Sequence, residues 1–150
     1  MSALRLNFLV NFNYMDTFAT AITCIDGRVQ QPITEWVRLR FNVRHVDLIT
    51  EPGPDKVLSS GPQHLIDDII RKVAFSVRYH FSPVVALSGH HDCAANAATR
   101  EEHVEQILAG AEVILSYNMN VRVLALWVSE WDSVELLWDT QTRDLVRSFL

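Results

Sequence analysis

A short apolar run that leads into a histidine and a cysteine constrains this chain more than any other feature of its sequence. The run Pro83–Ala86 reads Pro-Val-Val-Ala, and its position between a proline and a glycine predicts a buried strand. The stretch that follows, Leu87–Asn96, carries His90 and Cys93 in His-x-x-Cys spacing. A neutral imidazole and a thiolate both bind zinc, and two intervening residues allow a turn to direct both at one ion.

The second cysteine of the chain also follows a predicted strand. Cys24 opens the sequence Cys-Ile-Asp-Gly-Arg directly after Thr17–Thr23, which is rich in β-favouring residues. If the two strand ends meet, Cys24, His90 and Cys93 form a Cys₂His ligand set that leaves a fourth zinc position for water, as in catalytic sites. The alternative is that each cysteine is a small buried hydrophobe and that Asp-Gly-Arg is only a turn.

Asp26 and Arg28 add charged groups beside the first cysteine. At positions i and i+2 they are close enough to form a charge-assisted pair that keeps Asp26 ionised and fixed. Asp26 can then accept a hydrogen bond from a zinc-bound hydroxide, or it can bind the zinc itself as a fourth ligand and close the site. His91 and Asp92 are each either partners of the ligands or solvent-facing, and His91 is a candidate proton shuttle.

The rest of the chain alternates between strand and helix patterns. The expected strands are residues 17–23, 45–50, 84–88, 121–128 and 134–138, and the expected helices follow Arg28, begin near residues 62 and 99, and close the chain at 142–150. Pro32 suits the first turn of the first helix, and two capping boxes are expected for the next two helices, Ser60 with Gln63 and Thr99 with Glu102. The apolar stripe expected on the helix after Thr99 is Val104, Ile107, Leu108, Ala111 and Leu115. This alternation predicts one α/β domain over residues 1–150, with a mostly parallel sheet and helices on both faces. A strand order of 2-1-3-4, with the fifth strand at an edge, makes the two motifs face each other where the order reverses.

Composition excludes several classes of protein. The net charge of −5 and a pI near 5.6 argue against binding to nucleic acid or an anionic membrane. No apolar run approaches the roughly 20 residues that a membrane span needs. The mildly apolar Leu4–Phe12 is interrupted by asparagines and lacks a cleavage site, so we expect a strand or an arm against a partner subunit, not a signal peptide. Two distant cysteines favour reduced thiols in the cytoplasm.

Together these motifs resemble a known family. Cys24-x-Asp26-x-Arg28, with His90-x-x-Cys93 after Val-Val-Ala-Leu-Ser-Gly, is similar to the paired motifs of the β-class carbonic anhydrases, and the order of elements is similar over nearly the whole chain. The resemblance implies zinc held by Cys24, His90 and Cys93, and an Asp26–Arg28 dyad. It also implies a homodimer or higher homo-oligomer that reversibly hydrates carbon dioxide to bicarbonate.

Three departures from the family pattern bear on the substrate. Gly27 stands where the family usually has serine, and Ala94 stands where it usually has glycine. Thr50–Asp55 replaces the Arg-Asn-Ala-Gly segment that helps to line the family's active-site cleft. Two alternatives follow: a zinc hydrolase of carbon disulfide or carbonyl sulfide, and a non-catalytic zinc-binding scaffold or sensor. The other histidines are expected at the surface or at helix caps: His45, His64, His80 and His103.

Overall fold

The computed structural model describes residues 16–141, which form a single α/β domain around a five-stranded sheet. The strands are β1 (Phe18–Thr23), β2 (His45–Thr50), β3 (Val84–His90), β4 (Arg122–Val128) and β5 (Val134–Asp139). The helices are α1 (Gly27–Phe41), α2 (Pro54–Ser60), α3 (Gln63–Tyr79) and α4 (Arg100–Ser116). The predicted Leu4–Phe12 strand or arm and the closing helix at 142–150 lie outside the described residues.

The strand order is β2-β1-β3-β4-β5, which confirms the predicted topology. The pairs β1–β2, β1–β3 and β3–β4 are parallel, and β5 joins the edge of β4 as an antiparallel strand. Because β2 and β3 flank β1 on opposite sides, the chain reverses its direction of winding next to β1. The carboxyl ends of β1 and β3 therefore lie side by side at the switch point, where ligands bind in sheets of this type.

Helices cover both faces of the sheet, because the buried strands are apolar on both sides. On one face, α1 packs through Val29, Ile33 and Val37 against small residues of β1 and the even-numbered residues of β3. On the other face, α2, α3 and α4 enclose a larger core that includes Ile22, Leu58, Ile69, Leu87 and Ile107. No helix within residues 16–141 is long and apolar enough to cross a membrane.

Successive side chains of β3 point to opposite faces of the sheet, so the last residues of the strand contact two different cores. Ala86 belongs to the core beneath α1, whereas Leu87 belongs to the core beneath α2, α3 and α4. His90 shares the parity of Ala86 and Gly89 shares that of Leu87. The His90 side chain therefore lies on the α1 face, and Gly89 faces the other core, where an added Cβ would lie 2.8 Å from a carboxylate oxygen of Asp55.

Three local features differ from the sequence prediction. The short helix α2 was not expected, because Pro52-Gly53-Pro54 indicates a turn; Gly53 adopts a left-handed φ of 57° and Pro54 starts the helix. The expected capping box of Ser60 and Gln63 is wrong, since Ser60 ends α2 and the start of α3 has no side-chain cap. Helix α1 begins at Gly27, so Pro32 lies inside it and not in its first turn.

Helix α4 begins as predicted but buries a different face. Thr99 and Glu102 form the expected capping box. The close approach of Gly110, whose added Cβ would lie 2.7 Å from Leu87 Cδ2, brings the helix down onto the sheet. The buried face consequently consists of His103, Ile107, Gly110, Ala111 and Ile114. The expectation that His103 lies at the surface or in a cap is wrong, because only 2% of this residue is exposed.

Candidate metal centre

The ends of β1 and β3 bring three potential metal ligands together. Cys24 follows the last residue of β1, His90 is the last residue of β3, and Cys93 lies three residues further along the same loop. All three are buried, and their ligand atoms lie within 4.8 Å of one another. Residues separated by more than 60 positions in the sequence thus converge because the parallel sheet aligns the strand ends.

The imidazole of His90 is oriented as a metal ligand requires. Its Nδ1 lies 2.7 Å from the carbonyl oxygen of His91, and because a carbonyl only accepts, Nδ1 carries the hydrogen. The lone pair then resides on Nε2, which is the one buried side-chain nitrogen or oxygen within residues 16–141 that has no hydrogen-bond partner. A buried polar atom is rarely left without a partner unless an unrecorded ion or water satisfies it.

The two thiols complete a donor set that suits zinc. Cys24 Sγ and Cys93 Sγ are 3.9 Å apart, too far for a disulfide, and both cysteines are free. Two sulfurs that each lie about 2.3 Å from one tetrahedral zinc ion are about 3.8 Å apart, which matches the observed spacing. Burial and the neighbouring Cys24 sulfur raise the pKa of the Cys93 thiol in the absence of a cation. The residues present therefore fit a zinc ion.

Asp26 and Arg28 form a two-pronged ion pair next to these ligands. Arg28 Nη2 lies 2.6 Å from Asp26 Oδ2, and Arg28 Nε lies 3.0 Å from Asp26 Oδ1. Asp26 also caps α1 by accepting the backbone N–H of residue 28 at 3.0 Å. These hydrogen bonds, those of the guanidinium foremost, lower the pKa of Asp26 to about 2, and the same pair raises the pKa of Arg28. Among residues 16–141, Asp26 is not part of the ligand cluster.

Arg28 also joins the two loops that carry the ligands. Its Nη2 donates to the backbone carbonyl of Asp92 at 3.2 Å, and its Nη1 lies 3.4 Å from the Asp92 carboxylate. Asp92 adopts a left-handed φ of 55°, which turns the chain between His90 and Cys93. The Asp92 side chain is 74% exposed, so it faces solvent and is linked to the ligand cluster only through Arg28.

A solvent-facing cavity of about 260 Å³ opens beside His90. Its lining includes Arg28 and Asp92 from the two ligand-bearing loops, and Glu130 and Asp132 from the β4–β5 turn. The exposed His91 borders the same cavity, with Nε2 at 3.8 Å from the Glu130 carboxylate. Glu130 and Asp132 were not identified from the sequence. The only available signal was their position directly after a predicted strand, at the sheet edge that carries the ligands.

The fold and the cluster define an α/β protein with a Cys-His-Cys site at the carboxyl edge of its sheet. A family model described as "Putative carbonic anhydrase" matches residues 14–138. Because the match covers most of the chain, the protein belongs to this carbonic anhydrase family. No curated protein matches the sequence at a significant level.

Solved structures show the same fold at low sequence identity. A β-carbonic anhydrase from Trichomonas vaginalis is 14% identical with a TM-score of 0.56, and the alignment covers 91% of this chain and 98% of that one. The apo form of a carbon disulfide hydrolase is 14% identical with a TM-score of 0.57, covering 88% and 87%. A carbonic anhydrase from Glaciozyma antarctica is 13% identical with a TM-score of 0.51, covering 92% and 96%. These likenesses establish the β-carbonic anhydrase fold.

Proposed function

We propose that the protein is a zinc lyase of the carbonic anhydrase type that reversibly hydrates carbon dioxide to bicarbonate. The observation that carries the proposal is the buried convergence of Cys24, His90 and Cys93, with His90 Nε2 lacking a hydrogen-bond partner among residues 16–141. Family membership supports the reaction class. A zinc ion held by these three residues supplies Lewis acidity and lowers the pKa of a water in its fourth position towards about 7.

The chain's own residues supply orientation. Asp26, kept ionised by Arg28, presents a carboxylate that accepts a hydrogen bond from the attacking oxygen and so fixes its lone pair towards the substrate. Arg28 in turn holds Asp26 away from the metal, because the guanidinium engages both carboxylate oxygens. His91 lies on the cavity wall in contact with solvent, where it can pass protons to buffer.

Zinc content and carbon dioxide hydration, measured on the same purified chain, test this proposal. We expect about one zinc per chain, activity that is lost on chelation, and activity that returns when zinc is restored. A chain that binds no zinc would overturn the assignment of Cys24, His90 and Cys93. A zinc-loaded chain without hydration activity would overturn the assignment of the reaction.

Carbon disulfide is the most informative alternative substrate. The fold is shared with a carbon disulfide hydrolase, and the residue 50–55 segment departs from the carbonic anhydrase pattern. Release of hydrogen sulfide from carbon disulfide, or from carbonyl sulfide, by a chain that does not hydrate carbon dioxide would establish a hydrolase instead. A zinc-loaded chain that converts none of the three substrates would be a non-catalytic zinc-binding protein.

We also propose that the whole chain, residues 1–150, acts as one domain within a homodimer or larger homo-oligomer in the cytoplasm. A groove of about 590 Å³ beside Arg28 is lined by the apolar Pro32, Trp36 and Val134 and by polar residues that include Gln31 and Glu35. Leu39 in this groove is 80% exposed. Trp131, which directly precedes the lining residue Asp132, is 82% exposed. A partner subunit would cover such surface. A reducing compartment keeps both thiols available for metal.

Light scattering at micromolar concentration tests the assembly. A homodimer gives twice the chain mass of 17.1 kDa, whereas a particle of 17.1 kDa would rule the proposal out.

A further inference from the structure

A buried polar network lies on the opposite face of the sheet from the ligand cluster. The Asp55 carboxylate contacts His103 Nδ1, and the side-chain amide of Asn96 donates to Asp55 at 3.2 Å and to Gln106 Oε1 at 2.6 Å. Asp55, Asn96 and His103 are each no more than 3% exposed. Burying an aspartate, an asparagine and a histidine together is costly unless each is satisfied, so the arrangement calls for a specific explanation.

The network joins three separate parts of the chain beneath the end of β3. Asp55 comes from the first turn of α2, His103 from the first turn of α4, and Asn96 from the loop that carries Cys93. Asp55 lies under Gly89, the residue before His90, because an added Cβ there would meet its carboxylate at 2.8 Å. The His103 ring packs on Trp127, 5.3 Å between centroids, and Trp127 pairs with Gly89 across the sheet.

The loop from Cys93 to Asn96 passes over the end of β3 from one core to the other. Cys93 belongs to the core beneath α1, whereas the Asn96 side chain enters the network on the far face. The Asn96 backbone N–H donates to the Cys93 carbonyl at 3.2 Å, so a fixed Asn96 also fixes the Cys93 backbone. Gly53 supports the same loop, since an added Cβ would lie 3.3 Å from Asn96 Cβ.

We infer that Asp55, His103 and Asn96 are positioning residues that hold the Cys93 loop in its metal-binding conformation from the opposite face of the sheet. The part of this inference that concerns metal affinity rests on the proposed zinc site. The part that concerns the loop does not, because it depends only on hydrogen bonds within the chain. The departure of residues 50–55 from the carbonic anhydrase pattern thereby gains a role: it delivers Asp55 to the network.

Asn96→Ala tests the inference with two readouts. The variant removes the amide that joins the loop to Asp55 and Gln106, and leaves the Asp55–His103 contact in place. In the full-length chain prepared without metal, we expect backbone amides of residues 94–98 to exchange with deuterium roughly tenfold faster, as loss of a buried hydrogen bond implies. We expect zinc affinity to fall 10- to 100-fold, the usual cost of removing a group that orients a metal ligand.

Ser76→Ala is the matched control. Ser76 is 2% exposed and belongs to another buried network, with Thr20 and Asp47, near the amino ends of the strands. We expect this variant to leave loop exchange and zinc affinity at the wild-type values. Gln106→Ala removes the Gln106 acceptor of the Asn96 amide at a partly buried position and leaves the Asp55 acceptor in place, so it serves as the milder test if Asn96→Ala does not fold.

Three results would overturn the inference. The first is wild-type exchange in the loop of the Asn96 variant. The second is faster exchange spread over the whole domain, which would mean that the network only stabilises the fold. The third is a looser loop with unchanged zinc affinity, which would separate the network from Cys93. A wild-type chain that binds no zinc would refute the proposed function, and loop exchange would still decide whether the network anchors the loop.

Discussion

Replacing Arg28 with alanine should separate activity from stability, because this side chain orients Asp26 without supporting the core. The Arg28 side chain is 60% exposed, and ion pairs at such positions contribute little to the free energy of unfolding. The cap of α1 survives the change, since Asp26 accepts the backbone N–H of residue 28 whatever its side chain. We therefore expect the urea midpoint and the zinc content of Arg28→Ala to stay close to wild type.

Activity should respond quite differently. Without the guanidinium, Asp26 keeps only the hydrogen bond from the backbone N–H of residue 28 to its Oδ1, so its pKa rises from about 2 towards the ordinary range and its Oδ2 is released to turn towards the proposed metal site. We expect hydration to fall by roughly 10²- to 10⁴-fold, the range for a misplaced acid–base group. Arg28→Lys keeps the charge but loses the two-pronged geometry, so its activity should lie between alanine and wild type.

Asp26→Ala provides the comparison within the same pair. It removes the carboxylate from the site and also the cap of α1, so it should lower activity and cost about 1 kcal/mol of stability. Stopped-flow hydration, zinc content and urea unfolding on the three variants complete the experiment. Full turnover in Arg28→Ala would refute the role of the pair in orientation. Loss of zinc or a large fall in urea midpoint in that variant would show that Arg28 supports metal binding or the core, and would refute the prediction that it acts only by orienting Asp26.

Three further predictions each concern one or two residues. Cys93→Ser and Cys24→Ser should each lose most bound zinc, measured by elemental analysis, and full occupancy in both would exclude the proposed ligands. Burial alone would raise the pKa of Asp139, but hydrogen bonding from Arg122 lowers it overall. The stability from this pair is therefore complete above the ordinary carboxyl pKa of about 3.9 and is lost as pH falls through the folded value, so Asp139→Asn should flatten acid unfolding curves in that range. Gly27→Ala should raise the free energy of unfolding by about 0.4–1 kcal/mol in urea titrations, because an added Cβ meets nothing within 4 Å.

The sheet was predictable because its signals are local and mutually consistent. The apolar run of β3 and the helical patterns on either side require parallel crossovers, and right-handed connections leave few strand orders. The convergence of Cys24 with His90 follows from that order, since both stand at strand ends. The capping box of Thr99 and Glu102 was also predictable, because its two residues are only three positions apart in the sequence.

The buried network was not predictable in the same way, because its members are distant in sequence. Asp55 and His103 are 48 residues apart, and each looks locally like an exposed residue. Proline and glycine around position 53 indicated a turn, and glutamates surround His103 in the first turn of α4. One signal was nevertheless present: His103 lies four residues before Ile107 and is in phase with the buried Ala111.

The charges that line the cavity bear on which molecules reach the proposed metal site. Residues 50–55 supply a buried anchor in Asp55, and the described cavity beside His90 is lined by the Asp92 turn and the β4–β5 turn instead. That lining contains three carboxylates, those of Asp92, Glu130 and Asp132, against the single guanidinium of Arg28. An anion that enters meets like charge, whereas an uncharged molecule such as carbon dioxide or carbon disulfide does not. Under the proposed function, the charge lining this cavity favours neutral substrates over anionic ones and disfavours retention of a bicarbonate product, while discrimination between two neutral substrates must depend on shape.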